Sequence, residues 1–470
     1  MNDNESLIYS GNRSNRLFGN PQVLDRNLDN IIVNEHSNTP LKPPDRYYLG
    51  FIIFYVLGTC LLLPWFFFMT AHDYWMYKLR TISNSTHFSS IIWPNDPHHS
   101  SRLQANFTSF LTIAASIPST LVLFSNTYLA KKISIQLRMI SSLLFMLFLF
   151  AFTTVFVNIN TDSWQVLFFL MTIGVVVLLN IGSAIMQGAV YGLASFFESS
   201  YMTATISGQA LGGVFAAIAQ ILALWWGASP VHSAFVYFLF ADIFILLSLV
   251  LYTVLVKLDV YKYYVHDMSA SSWIRHTSSI QYTAIESDSD TPVDSICILK
   301  KIWKLGLSNW YCYVVTMSVY PAVTVLISSS ENIHNSWTDK YFVPVMAYLL
   351  FSAMDFVGRL LPHYIKLMDN VVWPSLVISL LRTAFIPLLL FCNAKPRHHS
   401  DALIHSDYVY AIIIILFGLT NGVISTITMT SIPKFVEKHE QEVASSIMVT
   451  FLGVGIATGS LVSFGMVNLL

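Results

Sequence analysis

The sequence predicts an all-α polytopic membrane protein, on three observations. Hydrophobic residues make up 54% of the 470 and charged residues only 11%, against about 25% charged in a soluble globular chain. Mean hydropathy is +0.58. The apolar residues come in blocks of about 20 or more, the length that crosses a hydrocarbon core of about 30 Å. Helices are the element these blocks must form, because backbone in lipid has to satisfy its own hydrogen bonds. The period-2 alternation of barrel strands is missing.

Residues 1–45 are polar, Asn-rich and Pro-containing, and read as a disordered cytosolic tail rather than a cleavable leader. Eleven spans follow, at about 47–70, 105–130, 135–158, 164–193, 202–226, 232–256, 308–328, 341–365, 371–393, 407–430 and 444–467. Lys and Arg set their orientation. A cytosolic N-terminus places Lys42, Arg46, Lys131, Lys132, Lys257, Lys262, Lys300, Lys301, Lys304, Lys366, Lys434 and Lys438 inside. The other face keeps fewer: Lys78, Arg80, Arg102, Lys340, Lys395 and Arg397. The sequon Asn84-Ser85-Thr86 then falls in an outer loop, where glycosylation occurs. An odd number of spans puts the C-terminus outside.

Residues 258–306 form a long cytosolic loop that separates a six-helix half, 46–257, from a five-helix half, 307–470. Its end, "SICILKKIWKLG", alternates apolar and basic residues at helical spacing, and predicts an amphipathic helix lying on the membrane surface. Glycines four apart (Gly188 and Gly192, Gly208 and Gly212, Gly455 and Gly459) predict close helix contacts. A net charge of −1 points to no nucleic acid. Cys60, Cys297, Cys312 and Cys392 have neither disulfide-framework nor metal-ligand spacing.

The informative residues are polar ones inside spans. "FSAMDFVGRLLPHYI" places Asp355 and Arg359 at i and i+4 on one helical face, where they can pair. Charges there are costly unless they are partnered or line a wet cavity. Gln187, Asn180, Gln209, Gln220, Arg138, Arg382 and Asp242 are further candidates. Each has a structural reading beside the functional one: Arg138 can snorkel to the interface, and a glutamine can join two helices. An acid accepts from hydroxyls, an arginine donates a fork, and a glutamine amide reads a ring edge. That inventory suits a neutral, polyhydroxylated, heteroaromatic solute better than an ion.

"LGTCLLLPWFFFMTA" (57–71), "MQGAVYGLA" (186–194), "SGQALGG" (207–213), "VYPAVTV" (319–325), "MDFVGR" (354–359), "LLRTAFIPLLLFCNAKPR" (380–397) and "LTNGVISTI" (419–427) resemble, in order, the equilibrative nucleoside transporters. The resemblance implies a major-facilitator-like bundle of six plus five helices. It also implies a passive carrier rather than an enzyme, with no cofactor, moving nucleosides and in some members nucleobases by alternating access. Carried over, it assigns Asp355 and Arg359 to the ribose hydroxyls and Gln187 to the base. Trp65 and Met69 become cavity wall, and Leu62 and Ile456 apolar lining. Met69 faces Pro321 as an outer gate, and Arg138 helps hold the halves together. Two positions depart from the family pattern: Phe66 stands where Asn is usual, and Ser352 is smaller than the expected polar residue. A proton-coupled or organic-cation carrier on the same fold, or a receptor without transport, are the competing readings.

Asp3-Asn4-Glu5-Ser6-Leu7-Ile8 fits the acidic dileucine pattern that clathrin adaptors read, and the resemblance includes a lysosomal branch with a similar signal. The lysosomal or late endosomal membrane is thus one expected address and the plasma membrane the other. Changing Leu7 and Ile8 together to Ala is expected to move a tagged protein to the cell surface, scored by surface biotinylation. No shift would show the motif to be inert.

Overall fold

The computed structural model describes residues 43–80, 102–227, 229–265, 295–331, 335–364, 371–394 and 402–468. The chain divides into Met1–Pro44 and a second unit, Asp45–Leu470, which holds every helix discussed here. Asp3, Leu7, Ile8 and Asn84 lie outside the described residues.

Helix α1 runs Leu49–Thr70 and is followed by a short helix, His72–Lys78. Its first turn is capped from a distance. Asp45 Oδ1 accepts from Gly50 N at 3.0 Å and Oδ2 from Phe51 N at 3.1 Å, so the carboxylate fills free N–H groups at the positive helix end. Next come α2 (Arg102–Lys132), α3 (Ile135–Val157) and α4 (Gln165–Phe196). Ser134 caps α3 through Leu137 N. Helix α5 (Ser199–Trp226) stops at Gly227, whose φ of 64° is the left-handed turn that glycine takes readily. Helix α6 (Pro230–Lys257) starts from a Ser229 cap with Pro at its first position.

Helix α7 (Ser295–Val319) corrects two expectations. The amphipathic stretch from 295 to 306 does not lie on a surface but forms the first turns of the same continuous helix. Its apolar stripe, Ile298, Ile302 and Leu305, is buried in the main core. A protein groove, rather than lipid headgroups, receives that stripe. The far end stops at Val319 instead of near 328, because Pro321 cannot continue the helical ladder.

The next span opens with wide π-helical turns, Trp337–Tyr341 and Val343–Leu349, and continues as α8 (Leu350–Tyr364). Helix α9 covers Val372–Leu390, with a tighter turn at Arg382–Ala384. Helices α10 (Asp407–Thr430) and α11 (Gln441–Asn468) complete the fold. Nine helices among the described residues are long and apolar enough to cross a membrane. Arg102–Lys132 and Ser295–Val319 are long but fall outside that set. The described residues form no β-strand, only isolated bridges such as Ile327 to Ala394.

Helix pairing repeats along the chain. Helix α1 packs on α5 as α7 packs on α11, and α2 packs on α4 as α8 packs on α10. Contacts between the first six helices and the last five run chiefly through α2 and α4 to α11 and through α5 to α8. Glycine junctions bring backbones together in several pairs, including α7 with α11 through Gly455 and Gly459. A Cβ on Gly58 of α1 would fall on the Thr205 carbonyl of α5, and one on Gly422 of α10 on the Asp355 carbonyl of α8. Lipid gives no hydrophobic drive for association, so the van der Waals contact that such close approach allows holds the helices together instead.

Gly422→Ala is therefore expected to destabilise the protein by about 3 kcal/mol, the upper end of the overpacking range. Gly174→Ala, where an added Cβ meets nothing within 4 Å, serves as the control. The thermal midpoint of detergent-purified protein checks both: a fall for Gly422→Ala only is the expected result.

Candidate functional site

The Gly422 junction positions the site. It draws α10 against α8 so closely that Asn421 reaches across to Asp355, its Nδ2 donating to Oδ1 at 2.8 Å. The other carboxylate oxygen, Oδ2, is held by Arg359, with Nε and Nη2 each at 2.9 Å. Asp355 is 5% exposed and Arg359 4%. The pair forecast from spacing therefore forms, buried, with both carboxylate oxygens partnered.

Arg359 also reaches α5. Its Nη1 donates to the Ile206 carbonyl at 2.8 Å and to Gln209 Oε1 at 3.1 Å. Tyr191 of α4 donates its hydroxyl to the same Gln209 oxygen at 3.0 Å. Behind Asn421, its Oδ1 accepts from Thr316 Oγ1 of α7 at 2.8 Å. Arg382 of α9 donates through Nη2 to Thr316 Oγ1 and through Nη1 to the Phe417 carbonyl, both at 2.8 Å, and also to the Thr420 hydroxyl. Its guanidinium lies over the Phe417 ring, 4.8 Å from the centroid. One carboxylate and two guanidinium groups thus share a network spanning α4, α5, α7, α8, α9 and α10. Breaking a buried pair of this kind costs about 3–5 kcal/mol, because it strands the remaining charge.

Gln187 of α4 is 8% exposed, and its amide makes no hydrogen bond among the described residues. A buried amide with open donor and acceptor groups is free to meet a polar solute. On α1, Leu62 and Trp65 line a cavity of about 30 Å³ together with Asn180 and Ser183 of α4. That volume admits water but not a sugar. Met69, Ile456 and Pro321 are half-buried, and among the described residues neither a hydrogen bond nor an ion pair links them to Asp355 or Arg359. Phe66 and Ser352, the two unusual positions, meet at one place. A Cβ added to Gly213 of α5 would lie 2.9 Å from Ser352 Oγ and 3.2 Å from Phe66 Cζ.

Arg138 does not snorkel. It is 2% exposed and forms an ion pair with Glu442 at the start of α11. Gly192 makes room for that acid, since an added Cβ would stand 3.0 Å from Glu442 Cγ. Asp242 contacts Thr154 of α3 at 2.7 Å. Gln209 does join helices, linking α5 to Tyr191 of α4 and to Arg359 of α8.

Asn421, Thr316, Tyr191 and Glu442 were not singled out by sequence reasoning. A lone amide in the apolar run of α10 was the available signal for Asn421. Glu442 stands just before the apolar block and reads as loop.

The "Nucleoside transporter" family model matches residues 173–468. "Equilibrative nucleoside transporter 1" of Homo sapiens is 32% identical over 454 residues, covering 91% of this chain and 98% of that protein. "Equilibrative nucleoside transporter 3" of Rattus norvegicus is 32% identical over 430 residues, covering 89% of each. A crystal structure of a POT family transporter in complex with a thioalcohol-conjugated peptide superposes with a TM-score of 0.53 at 11% identity, covering 88% of this chain and 90% of that one. That likeness concerns the fold, an all-helical, major-facilitator-like bundle. An integral membrane protein with this fold and these relatives, the chain belongs to the nucleoside transporter family.

Proposed function

We propose that the chain carries nucleosides passively across a membrane by alternating access between residues 46–257 and 307–470. One observation supports this above all. The buried Asp355–Arg359 pair of α8 is bonded to α5, at the junction of the first six helices with the last five. A site bridging two moving halves is what alternating access requires. Asp355 accepts from ribose hydroxyls while Arg359 donates to them, and the open Gln187 amide pairs with the base. Trp65, Met69, Leu62 and Ile456 supply apolar wall. Met69 and Pro321 form the outer gate, and Arg138 with Glu442 ties the halves at the cytosolic side. In this reading eleven helices cross the bilayer, the N-terminus is cytosolic, and some nucleobases are also carried.

Proton coupling is the second reading, and Asp242 favours it. This acid lies inside α6 with Thr154 on one oxygen and no partner on the other among the described residues. Uptake of radiolabelled uridine and adenosine into proteoliposomes, with and without a pH gradient, separates the two. Flux that is indifferent to the gradient and stops at equal concentrations supports passive transport; flux that needs the gradient replaces it.

Asp355→Ala is expected to abolish uridine uptake in protein that still reaches the membrane, with about 3–5 kcal/mol lost from the orphaned Arg359. Asp355→Asn retains shape and one acceptor and should fall less. Gln187→Ala should remove about 1–3 kcal/mol of base contact and change the adenosine-to-uridine ratio. An equal loss for both substrates would make Gln187 a packing residue.

A further inference from the structure

Arg359 donates three side-chain hydrogen bonds, from Nε to Asp355 and from Nη1 to the Ile206 carbonyl and Gln209 Oε1, while Nη2 lies 2.9 Å from the same carboxylate oxygen as Nε. The last two acceptors belong to α5, across the junction between the first six helices and the last five. Gln209 is 2% exposed. Its Oε1 is aimed by a second buried donor, the Tyr191 hydroxyl. Its amide nitrogen makes no hydrogen bond among the described residues.

We propose that Gln209 is a positioning residue that keeps Arg359 partnered when the carrier is empty and yields it to the substrate when loaded. This rests on the transport reading above. Net passive flux requires the protein to return empty after every delivery. Without solute, a guanidinium in the middle of the membrane loses its sugar hydroxyls, and each unmet donor there is costly. Gln209 Oε1 and the Ile206 carbonyl fill that position with protein. On loading, a sugar hydroxyl replaces Oε1, which still holds the Tyr191 hydroxyl, so neither side is orphaned. One neutral acceptor is exchanged for another, and the charge of the site stays constant. A glutamine does this where a glutamate would bind Arg359 too firmly to be displaced.

The test measures radiolabelled uridine flux in proteoliposomes in two modes. Zero-trans influx needs the empty carrier to return; equilibrium exchange does not. Gln209→Leu is expected to slow zero-trans influx about tenfold, the effect of one hydrogen bond to a charged group. Exchange falls much less, so the ratio of exchange to influx rises severalfold. Gln209→Glu keeps shape and acceptor, and here the uridine concentration for half-maximal influx is expected to rise about tenfold because substrate must displace a carboxylate. Equal loss of both fluxes in Gln209→Leu, or an unchanged half-saturation in Gln209→Glu, overturns the proposal and leaves the transport reading standing. Wild-type protein that moves no uridine overturns the transport reading, and this inference with it.

Discussion

An aspartate and an arginine one turn apart can stay charged in the middle of a helical bundle only if nearly every polar atom between them is met. Much of the architecture around α8 serves that requirement. Gly358 and Gly422 let α8 and α10 touch at the backbone, so Asn421 reaches Asp355. Thr426 donates to the Arg359 carbonyl at 3.1 Å, fastening the same junction one turn on. On the other side α5 comes near enough for the Ile206 carbonyl and Gln209 to take the two Nη1 donors. Removing one member strands the others, so the cluster behaves as a unit.

The network also explains why the glycines are placed as they are. Gly58 and Gly208 hold α1 to α5 as Gly358 and Gly422 hold α8 to α10. The α8–α10 junction fixes the depth at which Asn421 meets Asp355 across the helix pair. Bulk at Gly358 or Gly422 would move the Asp355–Arg359 pair relative to its partners, not merely loosen packing.

Much of this was legible in the sequence. Block length and hydropathy marked the helices, and an i, i+4 spacing was enough to pair Asp355 with Arg359. Gln209 stood out as an amide in an apolar run. The partners that complete the site were not legible, because Asn421, Thr316 and Tyr191 reach it through contacts between distant helices that no local pattern encodes. Glu442 was hidden for another reason: it lies outside the apolar block and becomes buried only when α11 meets Arg138. The stretch 295–306 misled because helical amphipathicity says that one face is apolar, not what covers it. Ile298 and Ile302 meet the protein core instead of headgroups. Pro321, by contrast, marked a helix end that the apolar pattern ran past.

Arg382 adds a consequence in electrostatic terms. With Asp355 and Arg359 cancelling, its guanidinium leaves the cluster with one uncompensated positive charge, held by hydroxyls and a carbonyl instead of a carboxylate. Poorly screened inside a bilayer, that charge raises the electrostatic potential around the cluster. On the transport reading, a permeant cation would climb against that charge, whereas an uncharged solute rich in lone pairs would not.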